Sequence, residues 1–219
     1  MKITVTDYLD VVSSWCFWSE PTWAELKKRY DGRVGFQWKI ALMDPIGLPT
    51  SREQEQWFYR RSGIMNRSPF ALNTDWYDAS LKEWFAANSI AEAARDFGIE
   101  DDRVRLALAS AALREGKQVK EWEVCADVAA AAAKIDKAKL LEAAKSPAVE
   151  KRIRASTAEF HAMQITQRPT FVVDTEIGDR AIFSGVVKVE AIAATIESML
   201  EDAEFYAAYK AHYGDPPPK

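Results

Sequence analysis

The sequence predicts an α/β domain, on three observations. A strand, a helix and a second strand open the chain, a long helical stretch fills its middle, and two strands and a helix close it. Ile3, Val5 and their β-prone neighbours read as the first strand, ending near Leu9 and Asp10. The segment Val11-Val12-Ser13-Ser14-Trp15-Cys16 leads into a helix through Trp23, Leu26 and Tyr30, which Pro21 is expected to kink or divide. After the turn at Asp31-Gly32-Arg33, residues 34–40 alternate at period two, as a strand does. A helix joining two strands in this way makes them parallel neighbours.

Residues 43–49 read as a loop from Pro45, Gly47 and Pro49; residues 51–61 fit a helix, and 62–78 look irregular. From residue 88 to about 164 the apolar spacing is helical. Ile90, Ala93, Ala94 and Phe97 share one face, as do Trp122, Cys125, Ala126 and Ala129, and then Val149, Ile153, Phe160 and Met163. Thr170-Phe171-Val172-Val173 and Arg180-Ala181-Ile182-Phe183, with a glycine turn between them, read as a hairpin. Val189, Ile192, Ile196, Met199 and Leu200 then mark a last helix. The expected organisation is a core in two parts, residues 1–42 and 151–210, split by a helical insertion at 43–150 and followed by a frayed tail at 211–219.

Composition narrows the chemistry. The 219 residues carry 29 Lys plus Arg against 33 Asp plus Glu, a net charge of −4 that speaks against a strongly basic nucleic-acid surface. No apolar run is long enough to span a membrane. The start, Met1-Lys2-Ile3-Thr4, is charged at once and does not read as a signal peptide, so a cytoplasmic location is expected. Two cysteines, Cys16 and Cys125, and two histidines, His161 and His212, leave no disulfide framework and no structural metal site. Large aromatics are numerous, and many lie between residues 15 and 85.

The segment Asp10-Val11-Val12-Ser13-Ser14-Trp15-Cys16-Phe17 resembles the active-site stretch of the DsbA-like thioredoxin-fold superfamily, nearest its FrnE-like branch. Arg168-Pro169-Thr170-Phe171 resembles that family's cis-proline strand, and Phe183-Ser184-Gly185 the end of its last strand. The resemblance covers nearly the whole chain and implies a thioredoxin-like fold with an all-helical insertion. It also exposes a departure. The first position of the Cys-x-x-Cys motif is Ser13, and only Cys16 remains. A serine hydroxyl is too weak an acid to replace the attacking thiolate, so ordinary dithiol–disulfide exchange is not expected here.

Kappa-class glutathione transferases and 2-hydroxychromene-2-carboxylate isomerases, a related branch, carry serine at this position. That resemblance implies glutathione as the cofactor, with Ser13 holding its sulfur and the helix N-terminus favouring the thiolate. On this analogy Ser13 and Cys16 are the catalytic candidates. Ser13, Ser14, Arg168, Pro169 and Thr170 would hold the tripeptide, and a small aromatic substrate would be transferred or isomerised. Trp15, Trp57, Trp76, Trp84 and Asn88 are the candidate substrate pocket.

Each residue also has a plainer reading. Ser13 could simply cap its helix, and Cys16 could be a small buried hydrophobe. Pro169 could begin a strand in the trans form, Arg168 could lie at the surface, and the aromatics could be core. Two other functions stay open: a FrnE-like redox protein working through Cys16 alone, and a binding module that has lost the chemistry. A small-molecule partner and a homodimer are compatible with each.

Overall fold

Period-two alternation decides which side of a sheet each strand residue takes, and it sorts this chain into layers. The structure, a computed structural model, describes residues 3–185 and 188–215. The opening Met1-Lys2 and residues 216–219 of the expected tail lie outside them. In chain order come β1 (Ile3–Leu9), α1 (Ser14–Arg29), β2 (Gly35–Ile40), α2 (Arg52–Met65), α3 (Phe85–Ala93), α4 (Arg103–Leu113) and α5 (Trp122–Ala133). Then follow α6 (Lys137–Ala144), α7 (Pro147–Ala162), β3 (Thr170–Thr175), β4 (Arg180–Ser184) and α8 (Val189–Tyr213). Short 3₁₀ turns lie at Pro45–Gly47 and Ala94–Phe97.

The strands form one sheet in the order β2-β1-β3-β4. β1 runs parallel to β2 and antiparallel to β3, which forms the expected hairpin with β4. Ile3 and Val5 on β1 and Phe171 and Val173 on β3 point to one face, where they pack with Trp23 and Leu26 of α1 and Ile192 and Ile196 of α8. Tyr8 and Val172 point to the other face, against Phe160 of α7. Asp7 falls on the α1 side by the same alternation, a charged group in an apolar layer.

The insertion and the central part of the sheet share one core. Leu9, Val12, Cys16, Trp38 and Ile40 join Trp76, Trp84, Ile90, Leu108, Cys125 and Ile153 in a single buried cluster. An ion network ties the two parts as well. Asp102, just ahead of α4, accepts from Trp23 Nε1 at 3.2 Å and pairs with Lys27 at 2.7 Å. Arg105, only 3% exposed, pairs with the same Asp102 and with Glu20 of α1.

Three expectations change. Pro21 does not divide its helix: α1 runs through it from Ser14 to Arg29. Pro21 is exposed, while Trp23 and Leu26 hold that part of the helix in the core. The last helix continues to Tyr213, through the start of the expected tail. α7 begins at Pro147, with Ser146 as its cap, so the segment returning to the sheet starts a turn before residue 151.

Candidate active site

The first turn of α1 is built by the link from β1. Asp10, 1% exposed, accepts from Val12 N and Met43 N, each at 3.0 Å, and its carbonyl takes the N–H of Ser13 at 3.1 Å. Burial raises the Asp10 carboxyl above its usual range, opposed by these hydrogen bonds and by the Arg168 charge. Asn88 fixes the turn from the other side, accepting from Val11 N at 3.0 Å and donating to Trp84 O at 3.0 Å. Asn88 is fully buried, so it braces the site from within and does not line a pocket.

Ser13 is the N-cap of α1, its Oγ accepting from Cys16 N at 3.4 Å. That is a long bond, and the hydroxyl also reaches the Cys16 thiol, a contact that opposes the burial raising that thiol. Ser13 opens on a cavity of about 760 Å³, also lined by Trp15, Trp18, Met43, Asp44, Arg61, Met65, Gln167, Arg168 and Lys188. This volume suits a small organic ligand. Of its charged lining residues three are cationic and one is acidic, so it favours an anion.

Cys16 lies one turn further, beside Ser13, and faces the core. It is 3% exposed, and Ser19 Oγ donates to its carbonyl at 2.7 Å. Burial first, and then the nearby Asp7 carboxyl, push its thiol far above the ordinary range. Asp7 is 1% exposed, and neither carboxylate oxygen has a hydrogen-bond partner among the described residues. Burial holds its pKa well above the usual value, against the attraction of Arg105. Burial therefore works against ionisation of both the thiol and the nearby acid. The cysteines are both free, and Cys125 is core, donating to Val119 O at 3.0 Å.

The Arg168–Pro169 bond is cis. Arg168 is buried, not solvated: its Nε donates to Ala41 O at 2.5 Å, its other nitrogens reach Leu42 O and Thr166 O, and the guanidinium stacks 4.5 Å from the Phe160 ring. Its charge lines the cavity, but its donors are already committed to main-chain carbonyls. Thr170 is buried and donates to Gln167 O at 2.8 Å, shaping the loop without facing the cavity. Ser14 and Pro169 adjoin the cavity without lining it.

Of the expected pocket aromatics only Trp15 faces the cavity. Trp76 and Trp84 are core, 1% and 2% exposed with ring centroids 4.6 Å apart. Trp57 is 57% exposed on the outer side of α2, with Arg61 over its ring. The unforeseen aromatic wall is Trp18, whose Nε1 donates to Ser62 Oγ at 3.0 Å and so pins α2 over the cavity. Its signal was its place three residues after Trp15, on the same helix face. Arg61, Met65 and Lys188 come from distant segments and carried no local signal.

A sheet of order β2-β1-β3-β4, a helix capped beside a cis-proline loop and an all-helical insertion define a thioredoxin-like protein of the DsbA type. The sequence matches the DSBA-like thioredoxin domain over residues 4–197, and the chain belongs to that family. No curated protein matches it. Among solved structures it is similar to a disulfide-isomerase candidate from Nitrosomonas europaea, at 16% identity and TM-score 0.77, covering 92% of this chain and 99% of that one. It is also similar to the cytosolic disulfide reductase DsbM of Pseudomonas aeruginosa. A structure of DsbM with GSH aligns at 15% identity and TM-score 0.68, covering 90% of this chain and 99% of that one. Pseudomonas aeruginosa DsbA aligns at 20% identity and TM-score 0.59, covering 94% and 86%. At these identities the likeness speaks for the fold.

Proposed function

We propose that the chain is a cytoplasmic, glutathione-dependent enzyme of the DsbA-like family, a transferase or isomerase acting on a small aromatic substrate. The observation that carries this reading is that Ser13, itself only 6% exposed, lines the cavity, while Cys16 is buried beside it and does not. A sulfur nucleophile at this helix end must then arrive with a ligand, and glutathione supplies one. Its two carboxylates suit a cavity whose lining is mostly cationic, and a cytosolic relative of the same fold has been solved with GSH.

In this reading the Ser13 hydroxyl donates to the ligand's sulfur, and the N-terminus of α1 stabilises negative charge there. Lys188 and Arg61 attract the carboxylates, and the loop at Gln167 and Arg168 flanks the tripeptide. Trp15, Trp18, Met43 and Met65 give an aromatic co-substrate an apolar wall that keeps water from the sulfur.

The redox reading through Cys16 alone meets a thiol that is buried and hard to ionise. The binding-module reading predicts a site filled by side chains, against a cavity of about 760 Å³. Calorimetry with glutathione tests the proposal. Binding is expected to weaken by about tenfold, or ~1.4 kcal/mol, in Ser13→Ala, the loss of one hydrogen bond to a charged sulfur. No heat with glutathione and no effect of Ser13→Ala would remove it.

A further inference from the structure

Helix α2 covers one side of the cavity and turns an acid inward. Its inner face carries Glu55, Tyr59 and Ser62, at spacings of four and three, and all three are buried. Ser62 is the residue tied to Trp18, and Arg61 and Met65 on the same stretch line the cavity. Residues 48–51 before the helix and 66–84 after it hold no strand or helix, so α2 can shift as a unit without disturbing the sheet.

Glu55 is 8% exposed and makes no ion pair among the described residues. The titratable groups that face it are tyrosines, Tyr59 from its own helix and Tyr77 from the segment that follows. The Tyr59 hydroxyl lies close without a formed hydrogen bond, and Tyr77 donates to Pro49 O instead. The charges nearby are engaged elsewhere. Arg52 pairs with Asp75 at 3.3 Å, Arg61 lies over the Trp57 ring, and Asp78 beside Tyr77 pairs with Lys120 at 2.8 Å. Burial with no cation to offset it pushes the Glu55 carboxyl up to about 7, only partly opposed by Tyr59. Protonated, the side chain suits its buried place. Ionised, it is stabilised by reaching water, and lifting α2 gives it that access.

We propose that α2 is a pH-sensitive flap over the cavity, held down while Glu55 carries a proton and loosened when that proton passes to solvent. Lifting the helix breaks the Trp18–Ser62 bond and withdraws Arg61 and Met65 from the cavity wall. The device concerns the cover and not the occupant, so it holds for any ligand the cavity takes.

Hydrogen exchange of the α2 amides, corrected for the intrinsic rate at each pH, tests this, with the amides of α5 as the reference. A carboxyl that titrates at about 7 in place and at about 4.3 in water makes opening roughly tenfold easier between about pH 6 and about pH 8. Wild-type α2 is therefore expected to lose protection by that factor, while α5 keeps its own. Glu55→Gln, which cannot ionise, is expected to keep α2 protection level over the same range, with an unchanged circular-dichroism spectrum. Glu55→Leu, apolar and of similar size, should behave likewise. Level protection of wild-type α2 overturns the proposal. So does a tenfold loss that persists in either variant, or one that appears equally in α5.

Discussion

Helix α1 turns a cavity-lining face and a core-facing one, and Ser13 and Cys16 sit side by side where the two meet. Ser13, Trp15 and Trp18 face a cavity rich in cationic groups, while Cys16, Ser19 and Trp23 face the core above Asp7 and the Arg105 ion network. The open side offers hydrogen-bond donors and apolar walls to a ligand. The closed side holds a thiol and an acid whose burial disfavours the charged form of each. The fold is that of a DsbA-like thioredoxin domain, while the group that lines the cavity at the start of α1 is a hydroxyl.

The largest expected effect comes from moving a thiol to the open side. Ser13→Cys sets a cysteine at a helix N-terminus, where thiol pKa values drop to about 3.5–7.5. In the wild-type chain burial raises both thiols, Cys125 to about 12. Labelling by a disulfide reagent at neutral pH should rise on the order of 10²-fold in the variant, with insulin reduction appearing. Rapid labelling of the wild-type chain would erase the distinction between the two sides.

Next in size is the ion network on the closed side. Arg105→Ala leaves Glu20 and Asp102 without their buried partner and should cost about 3–5 kcal/mol in a urea melt. A loss under ~1 kcal/mol would mean that the network is solvated.

Asp7 gives a pH signature. Its folded pKa is raised, so the folded state holds a proton that the unfolded chain releases near pH 4. Its contribution to stability is full below that pH and is lost as pH rises toward its folded pKa, at up to ~1.4 kcal/mol per unit. Asp7→Asn should remove this slope, leaving the variant more stable relative to wild type at pH 8 than at pH 4. Parallel stability curves for the two chains would show Asp7 to be solvated.

A last contrast separates the aromatics, with its smallest effect at the surface. Trp84→Ala should cost about 3–5 kcal/mol from the core. Trp57→Ala should stay within ~0.5 kcal/mol and leave ligand affinity unchanged.

Much of this was legible in the sequence. Residues 34–40 alternate as a strand does, residues 170–173 are a continuous β-prone run buried on both faces, and the helical periods of the insertion follow its shared core. Ser13 and Arg168 stood out because local motifs mark them. Trp76, Trp84 and Trp57 did not sort themselves, since an aromatic-rich stretch looks the same whether its rings pack inward or lie outside. Arg61 and Lys188 reach the cavity only through the packing of α2 and the approach to α8. Asp7 carried one faint signal, an acid at an inward position of a strand, which its burial explains only once α1 is seen above it.

The central claim is that Ser13 activates a sulfur brought by a ligand. The most direct measurement is a pH titration of the ultraviolet thiolate band with bound glutathione, in wild type and in Ser13→Ala. The account predicts a thiolate midpoint below that of free glutathione in the wild type, returning toward the free value in the variant. A midpoint that does not move on binding, or that is the same in both chains, would contradict it.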